Sequence, residues 1–160
     1  MPPLSILLKP ASSGCNLRCA YCFYADEAKV RTVPNYGRMP EAVSHALIEK
    51  AAKAAEGSIT FLFQGGEPTL AGLDFFRDFV SHVKKTVPPK LAVYYAIQTN
   101  GILLDQEWCR FFKENNFLAG LSLDGSRECH DRFRLDGNGK RTYDRVQQAA
   151  RQLERAGVEY

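Results

Sequence analysis

Three cysteines fall in one short stretch, Cys15-Asn16-Leu17-Arg18-Cys19-Ala20-Tyr21-Cys22, and three thiols gathered in one loop are a binding device before they are anything else. Thiolates are soft ligands suited to zinc or to iron–sulfur clusters. No fourth Cys or His lies nearby in sequence. On a 4Fe-4S cluster three thiolates leave one iron open, and an open iron can bind substrate or cofactor just as a catalytic zinc keeps an open position. A zinc site completed by a distant His, or reactive cysteines without metal, fits the same spacing, so the cysteines by themselves leave the chemistry open.

The loop follows an apolar run, Leu4–Leu8, that reads as a strand ending at Pro10. A strand end is where a parallel α/β sheet keeps its chemistry. Residues 24–38 are polar and broken by Pro34, Asn35 and Gly37, and they read as a connecting loop. Pro40 opens a helix in which Val43, Leu47, Ala51, Ala54 and Ala55 recur at helical spacing until Gly57. A buried strand over 59–63 runs into Gln64-Gly65-Gly66-Glu67-Pro68-Thr69. The helix after it carries Phe75, Phe76, Phe79, Val80 and Val83 inward and stops before Pro88-Pro89. A third strand over 91–97 closes on Gln98-Thr99-Asn100-Gly101, and Asp105 caps a helix with Trp108, Phe111 and Phe112. The fourth strand, 117–123, turns at Asp124-Gly125 into a long polar stretch. Thr142 then caps a helix with Val146, Ala149, Ala150 and Leu153 inward and Gly157 past its end. Residues 158–160 read as a fifth strand cut short.

Strand, functional-looking loop and helix therefore recur about four times, which predicts an α/β fold of βα units on a parallel sheet with right-handed crossovers. A closed eight-unit barrel takes about 250 residues. The expectation for a chain of 160 residues is the first part of a larger barrel, with the natural polypeptide continuing.

Composition excludes several classes. The net charge of +3 comes from interspersed Lys, Arg, Asp and Glu and not from a basic block, so no nucleic-acid surface is indicated. The five cysteines are not the even, dispersed set of a secreted disulfide framework, which favours a reducing cytoplasm. The N-terminal apolar run is too short for a signal h-region or a transmembrane helix, so no membrane is expected.

The arrangement Cys-x3-Cys-x2-Cys with Tyr21 before the last Cys resembles the cluster loop of the radical S-adenosylmethionine enzymes, and Gly65-Gly66-Glu67-Pro68 looks like their Gly-Gly-Glu motif. The strings at 9–17, 22–24, 63–72, 98–101 and 120–125 look like those of the anaerobic sulfatase-maturating enzymes. That resemblance covers essentially the whole chain. It implies the N-terminal part, about four βα units, of a partial (β/α)6 TIM-like barrel, residues 1–160 being the radical core truncated at the start of its fifth strand. A later cysteine-rich SPASM region, with two auxiliary clusters and the catalytic base, is missing here.

The resemblance also implies a reaction. A reduced 4Fe-4S cluster donates an electron to S-adenosylmethionine, giving methionine and a 5′-deoxyadenosyl radical. The radical takes hydrogen from the β-carbon of a Cys or Ser in a sulfatase polypeptide, and the product is Cα-formylglycine; an external flavodoxin- or ferredoxin-type donor supplies electrons. Roles follow onto matching positions: Cys15, Cys19 and Cys22 on iron; Tyr21 near the adenine; Gly65, Gly66 and Glu67 near the methionyl amine. Physically, two glycines permit close backbone approach and a carboxylate can hold an ammonium. Ser122 and Arg134 resemble cofactor ribose or carboxylate contacts, Gln98 faces the same cavity, and Tyr24 with Gln64 looks placed to meet substrate. A guanidinium can grip a carboxylate bidentately, and that reading of Arg134 stands ahead of its alternative, a surface Arg in the charged stretch 127–145.

The remaining residues have mixed readings, most of them structural. Asp124 could bond ribose hydroxyls or just shape its turn. His45 and His82 read as surface or packing residues, His130 as a polar substrate contact, Cys109 as a small buried hydrophobe and Cys129 as an exposed, oxidisable thiol. Asn138-Gly139-Lys140-Arg141 is no phosphate loop, because Arg134 stands at the first glycine position and Arg141 replaces Ser/Thr. Within the resemblance, a thioether-forming peptide maturase is the alternative; outside it, a zinc-binding structural module.

Overall fold

A computed structural model describes residues 3–160. Four strands, β1 (Leu4–Leu8), β2 (Ser58–Phe63), β3 (Ala92–Thr99) and β4 (Phe117–Leu121), form one sheet in the order β1-β2-β3-β4, and every neighbouring pair is parallel. Strands added one after another in a single direction wind as a barrel does, whereas a doubly wound sheet reverses at a switch point.

Register divides the sheet into two faces. Leu8 pairs with Phe63, Phe63 with Ile97 and Ile97 with Ala119, a row buried throughout. These side chains pack under α3 (Leu73–Thr86), whose Phe75, Phe76 and Phe79 are fully buried, and toward Trp108 and Phe112 of α4 (Gln106–Glu114). Rings meet edge-on at Phe61–Phe79 and Phe76–Trp108, with centroids 5.0 and 5.2 Å apart, in the geometry their quadrupoles favour. The alternate row, Leu7, Leu62, Ala96 and Leu118, lies on the other face, where Leu7 and Leu118 are exposed. Gln98, paired with Gly120, extends that open row toward the strand ends.

The remaining helices are α1 (Phe23–Val30), α2 (Glu41–Ala54), α5 (Arg127–Phe133) and α6 (Tyr143–Ala156). Two of them fall in stretches that read as irregular. α1 occupies the start of the expected loop at 24–38 and buries none of its residues, so it has no apolar stripe to betray it. α5 sits in the polar stretch after Asp124; Ser126 caps it by accepting from the Cys129 N–H at 3.3 Å.

Two details of the helices also differ from expectation. The buried face of α2 is Ser44, Ile48 and Ala51, while Val43 is exposed; Ser44 can be buried because its hydroxyl donates to Glu41 O at 2.8 Å. Thr142 stands at the N-cap of α6 but does not cap it. The Asp131 carboxylate accepts the N–H groups of Thr142 and Tyr143, at 3.0 and 2.9 Å, and the Thr142 hydroxyl is used elsewhere. Asp105 does cap α4, accepting from Glu107 N–H and Trp108 N–H, and Gly157 ends α6 in the left-handed conformation. Beyond it, Glu159 makes one parallel bridge to Leu118, at the position read as a fifth strand. Among the described residues no helix is long and apolar enough to cross a membrane.

Candidate functional site

The cysteine loop is held from both sides. Leu17 bridges Asp136 in antiparallel fashion, and the N–H groups of Arg18 and Ala20 donate to Leu135 O and Phe133 O at 2.7 and 2.9 Å. From the other side, Gly66 N–H donates to Ser12 O at 3.0 Å and Glu67 N–H to Gly14 O at 2.7 Å. A Cβ on Gly66 would lie 2.0 Å from Gly14 O, so the close approach this glycine permits is to the stem of the cysteine loop.

Between these walls is a cavity of about 200 Å³ at the C-terminal ends of β2, β3 and β4. Cys15, Cys19, Cys22, Tyr21, Tyr24, Gln64, Gly65, Gly66, Glu67, Gln98, Ser122 and Arg134 all line it. Leu17, Phe23, Thr99 and Asn100 line it too and were not singled out as site residues in the sequence. Thr99 and Asn100 could have been found there, since Gln98-Thr99-Asn100-Gly101 closes a strand as the glycine motif does.

Glu67 is almost fully buried and its carboxylate is heavily used. Oε1 accepts from Thr69 N–H at 3.1 Å and from the Thr69 and Thr99 hydroxyls at 2.7 Å each; Oε2 accepts Asn100 N–H at 2.7 Å. Oε2 retains capacity for one more donor. Gln98 Nε2 donates to Ser122 Oγ at 3.1 Å, which leaves the serine proton free to donate. The glutamine reaches Ser122 by lying across Gly120, where a Cβ would stand 2.2 Å from its Oε1.

A second cluster closes the far wall. The Tyr21 hydroxyl and Arg134 Nε both donate to Asp124 Oδ2, the latter at 2.9 Å, and the guanidinium lies 5.3 Å from the Tyr21 ring centroid. Burial works against the Asp124 charge, but hydrogen bonds from Arg134 and Tyr21, with the arginine's charge, hold the carboxyl below its usual range. Burial and the bond to Asp124 push the Tyr21 hydroxyl up to about 12. Asp124 is therefore the arginine's partner as well as a turn residue.

Three N–H donors point at thiols: Leu17 N–H at Cys15 Sγ (3.4 Å), Asn100 Nδ2 at Cys15 Sγ (3.7 Å) and Arg134 Nη1 at Cys19 Sγ (3.9 Å). Burial raises the Cys15 and Cys19 thiols, outweighing the backbone N–H on the first and the Arg134 charge on the second, so both are neutral at pH 7 until a metal draws off the proton.

Three thiols of one loop line the cavity, and cysteine thiolates are the ligands an iron–sulfur cluster takes. Among the described residues no three His, Cys, Asp or Glu side chains surround one point as ligands of one ion, while an iron–sulfur cluster takes each thiolate on a different iron. The histidine that a zinc reading requires is absent from the cavity lining. His45 and His82 stack on each other between α2 and α3, centroids 3.8 Å apart. His130 is wholly buried, which corrects its reading as a substrate contact. Cys109 is buried and Cys129 exposed.

Over residues 10–160 the chain matches the family described as the Radical SAM superfamily. It is 48% identical over 160 residues to a cysteine-type anaerobic sulfatase-maturating enzyme of Clostridium novyi (strain NT), covering 100% of this chain and 43% of that protein. It is 35% identical over 159 residues to a serine-type anaerobic sulfatase-maturating enzyme of Bacteroides thetaiotaomicron, covering 99% of this chain and 38% of the other. A solved structure described as native anSMEcpe with bound AdoMet and Kp18Cys peptide superposes with a TM-score of 0.92 at 45% identity, covering 99% of this chain and 42% of that one. The chain thus spans less than half the length of these relatives.

Proposed function

The chain belongs to the Radical SAM superfamily, and from that premise we propose that it is the cofactor-binding, N-terminal part of an anaerobic sulfatase-maturating enzyme, acting on a Cys or Ser of a sulfatase polypeptide. The observation that carries this reading is that three thiols of one loop and the ends of three parallel strands line a single cavity. Similarity to a cysteine-type enzyme at 48% against 35% for a serine-type one favours Cys as the oxidised residue.

In this proposal Cys15, Cys19 and Cys22 hold a 4Fe-4S cluster, and S-adenosylmethionine, the AdoMet of the solved relative, occupies the rest of the cavity. When bound, the two would supply a 5′-deoxyadenosyl radical able to take hydrogen from the substrate β-carbon, the cluster's electron being spent in breaking the cofactor's carbon–sulfur bond with methionine as the leaving group. The chain's own residues position. Glu67 Oε2 has one acceptor direction left for an ammonium, and Gly65 and Gly66 offer backbone beside it. Ser122 keeps a hydroxyl proton for an acceptor, and Arg134 offers a guanidinium to a carboxylate. Tyr21 presents a half-exposed ring against which an adenine can stack. Tyr24 and Gln64 serve the peptide side of the cavity. An external flavodoxin- or ferredoxin-type donor supplies the electron, in a reducing cytoplasm suited to five free cysteines. Auxiliary clusters and the catalytic base belong to a region outside this chain.

The test is anaerobic incubation of the intact, iron-reconstituted protein with dithionite, S-adenosylmethionine and a Cys-containing sulfatase peptide. The expected products are 5′-deoxyadenosine and a peptide aldehyde. Cofactor cleavage with a thioether and no aldehyde would move the protein to another peptide-modifying branch, and stoichiometric zinc with no iron would overturn the reading altogether.

A further inference from the structure

His130 takes no part in the site as described, yet its hydrogen bonds end on both members of the Asp124–Arg134 pair. The ring is wholly buried. Its Nδ1 lies 3.3 Å from the backbone nitrogen of Asp124, which can only donate, so Nδ1 carries no proton. Its Nε2 lies 3.0 Å from Thr142 Oγ1. That hydroxyl spends its only proton on Arg134 O, a carbonyl that can only accept, at 2.6 Å, so Thr142 must accept from Nε2–H. Arg134 N–H returns to His130 O at 2.8 Å. Every proton in the chain Asp124 N–H, His130, Thr142, Arg134 O therefore has one arrangement, with a neutral, Nε2-protonated imidazole at its centre.

We infer that His130 is a positioning residue of the cofactor cavity, acting with Thr142 to fix the backbones of Asp124 and Arg134 so that carboxylate and guanidinium meet beside Cys19 and Tyr21. The inference rests on the cofactor site proposed above. A packing role alone asks only for a ring of that volume; the geometry instead uses both nitrogens, on two different elements. An acceptor at Nδ1 anchors the loop after β4, and a donor at Nε2 anchors, through Thr142, the end of α5, where Arg134 lies between Phe133 and Leu135, whose carbonyls accept from the cysteine loop. Burial and the nearby Arg134 charge keep the ring neutral against the pull of Asp124 and Asp131.

The first test needs no cofactor: imidazole ¹⁵N NMR of the intact protein, with the Arg134 Nε–H followed by hydrogen exchange. The expected result is an unprotonated Nδ1, a protonated Nε2 and an Arg134 Nε–H that exchanges faster in His130→Leu; the other tautomer, or unchanged exchange, overturns the inference. The second is equilibrium binding of S-adenosylmethionine to the iron-reconstituted protein with its cluster oxidised, so that the cofactor is not cleaved, read by equilibrium dialysis. His130→Leu should weaken binding about tenfold, as the loss of a buried hydrogen-bond pair does. His130→Asn, whose Oδ1 can take the Asp124 N–H, should recover part of it. Thr142→Val, which leaves the imidazole in place, should weaken it similarly and add nothing to His130→Leu. Equal binding by wild type, His130→Leu and Thr142→Val means His130 only packs, and if His130→Leu does not fold, Thr142→Val alone decides. A wild-type protein without cluster or S-adenosylmethionine binding defeats the proposed function, while the NMR result stands or falls separately.

Discussion

The buried carboxylate of Glu67 accepts the backbone N–H of Asn100 at 2.7 Å, so the loop after β2 is tied by a charge to the loop after β3. Four donors converge on that carboxylate, and any ligand ammonium arrives as a fifth. Glu67→Gln turns one acceptor oxygen into a donor facing other donors. The expected result is a loss of about 1–3 kcal/mol of stability, read by urea unfolding of the cofactor-free protein. Unchanged unfolding with impaired cofactor binding would mean that the carboxylate serves the ligand alone.

Two glycines of the site separate backbone from side-chain crowding. At Gly66 the obstacle to a Cβ is the Gly14 carbonyl, which cannot move without shifting the cysteine loop; at Gly120 it is the flexible end of Gln98. Gly66→Ala should cost about 1–3 kcal/mol or more and lower iron incorporation. Gly120→Ala should melt within about 0.5 kcal/mol of the parent while releasing Gln98 from Ser122. Thermal melts and iron content of the two variants, measured together, check the contrast.

Acid should undo the far wall of the cavity first. The native carboxyl of Asp124 is held below its ordinary value of 3.8, so its contribution to stability is complete above that value and is lost as pH falls through the lowered one. Asp124→Asn should flatten the acid limb of a stability-versus-pH curve below about pH 4. At the alkaline end the sign reverses. Tyr21, raised to about 12, contributes fully below the unfolded tyrosine value near 10 and loses this as pH rises toward 12. A spectrophotometric titration should show late tyrosines, Tyr21 and the buried Tyr95, and Tyr21→Phe should remove one of them.

Each of Cys15→Ala, Cys19→Ala and Cys22→Ala should abolish the brown iron–sulfur absorbance after anaerobic reconstitution. Cys129→Ser, at an exposed position away from the cavity lining, should leave it intact. Loss of iron in Cys129→Ser would assign a fourth thiol to the cluster and contradict the three-ligand loop.

Much of this was legible because local chemistry and long-range position coincide. The cysteine spacing, the strand-end glycines and the phenylalanine stripe of α3 each announce themselves within a few residues, and parallel topology then brings the strand ends together. What escaped was tertiary or had no stripe. α1 buries nothing, and α5 is a short helix in a charged stretch. Thr142 occupies a capping position, yet Asp131 is close enough in space to cap in its place, freeing the hydroxyl for Arg134 O. His130 looked like a polar group waiting for substrate because nothing in its neighbours in sequence reveals that both ring nitrogens are already engaged.

Asn100 and Arg134 each aim an N–H at a thiol of the loop, at 3.7 and 3.9 Å, and neither is replaceable by charge or volume alone. Hydrogen bonds to cluster sulfurs stabilise the reduced, more negative state and so raise the potential. Asn100→Leu should therefore lower the midpoint of the reconstituted protein by on the order of 40 mV, the one-electron equivalent of about 1 kcal/mol of hydrogen bond. Arg134→Lys keeps a positive charge but loses the planar fork that reaches Asp124 and Cys19 together, so it too should shift the midpoint downward while releasing Tyr21 from its cation. EPR-monitored redox titration reads both variants. A midpoint that does not move in either would mean that these donors face sulfurs the cluster does not use.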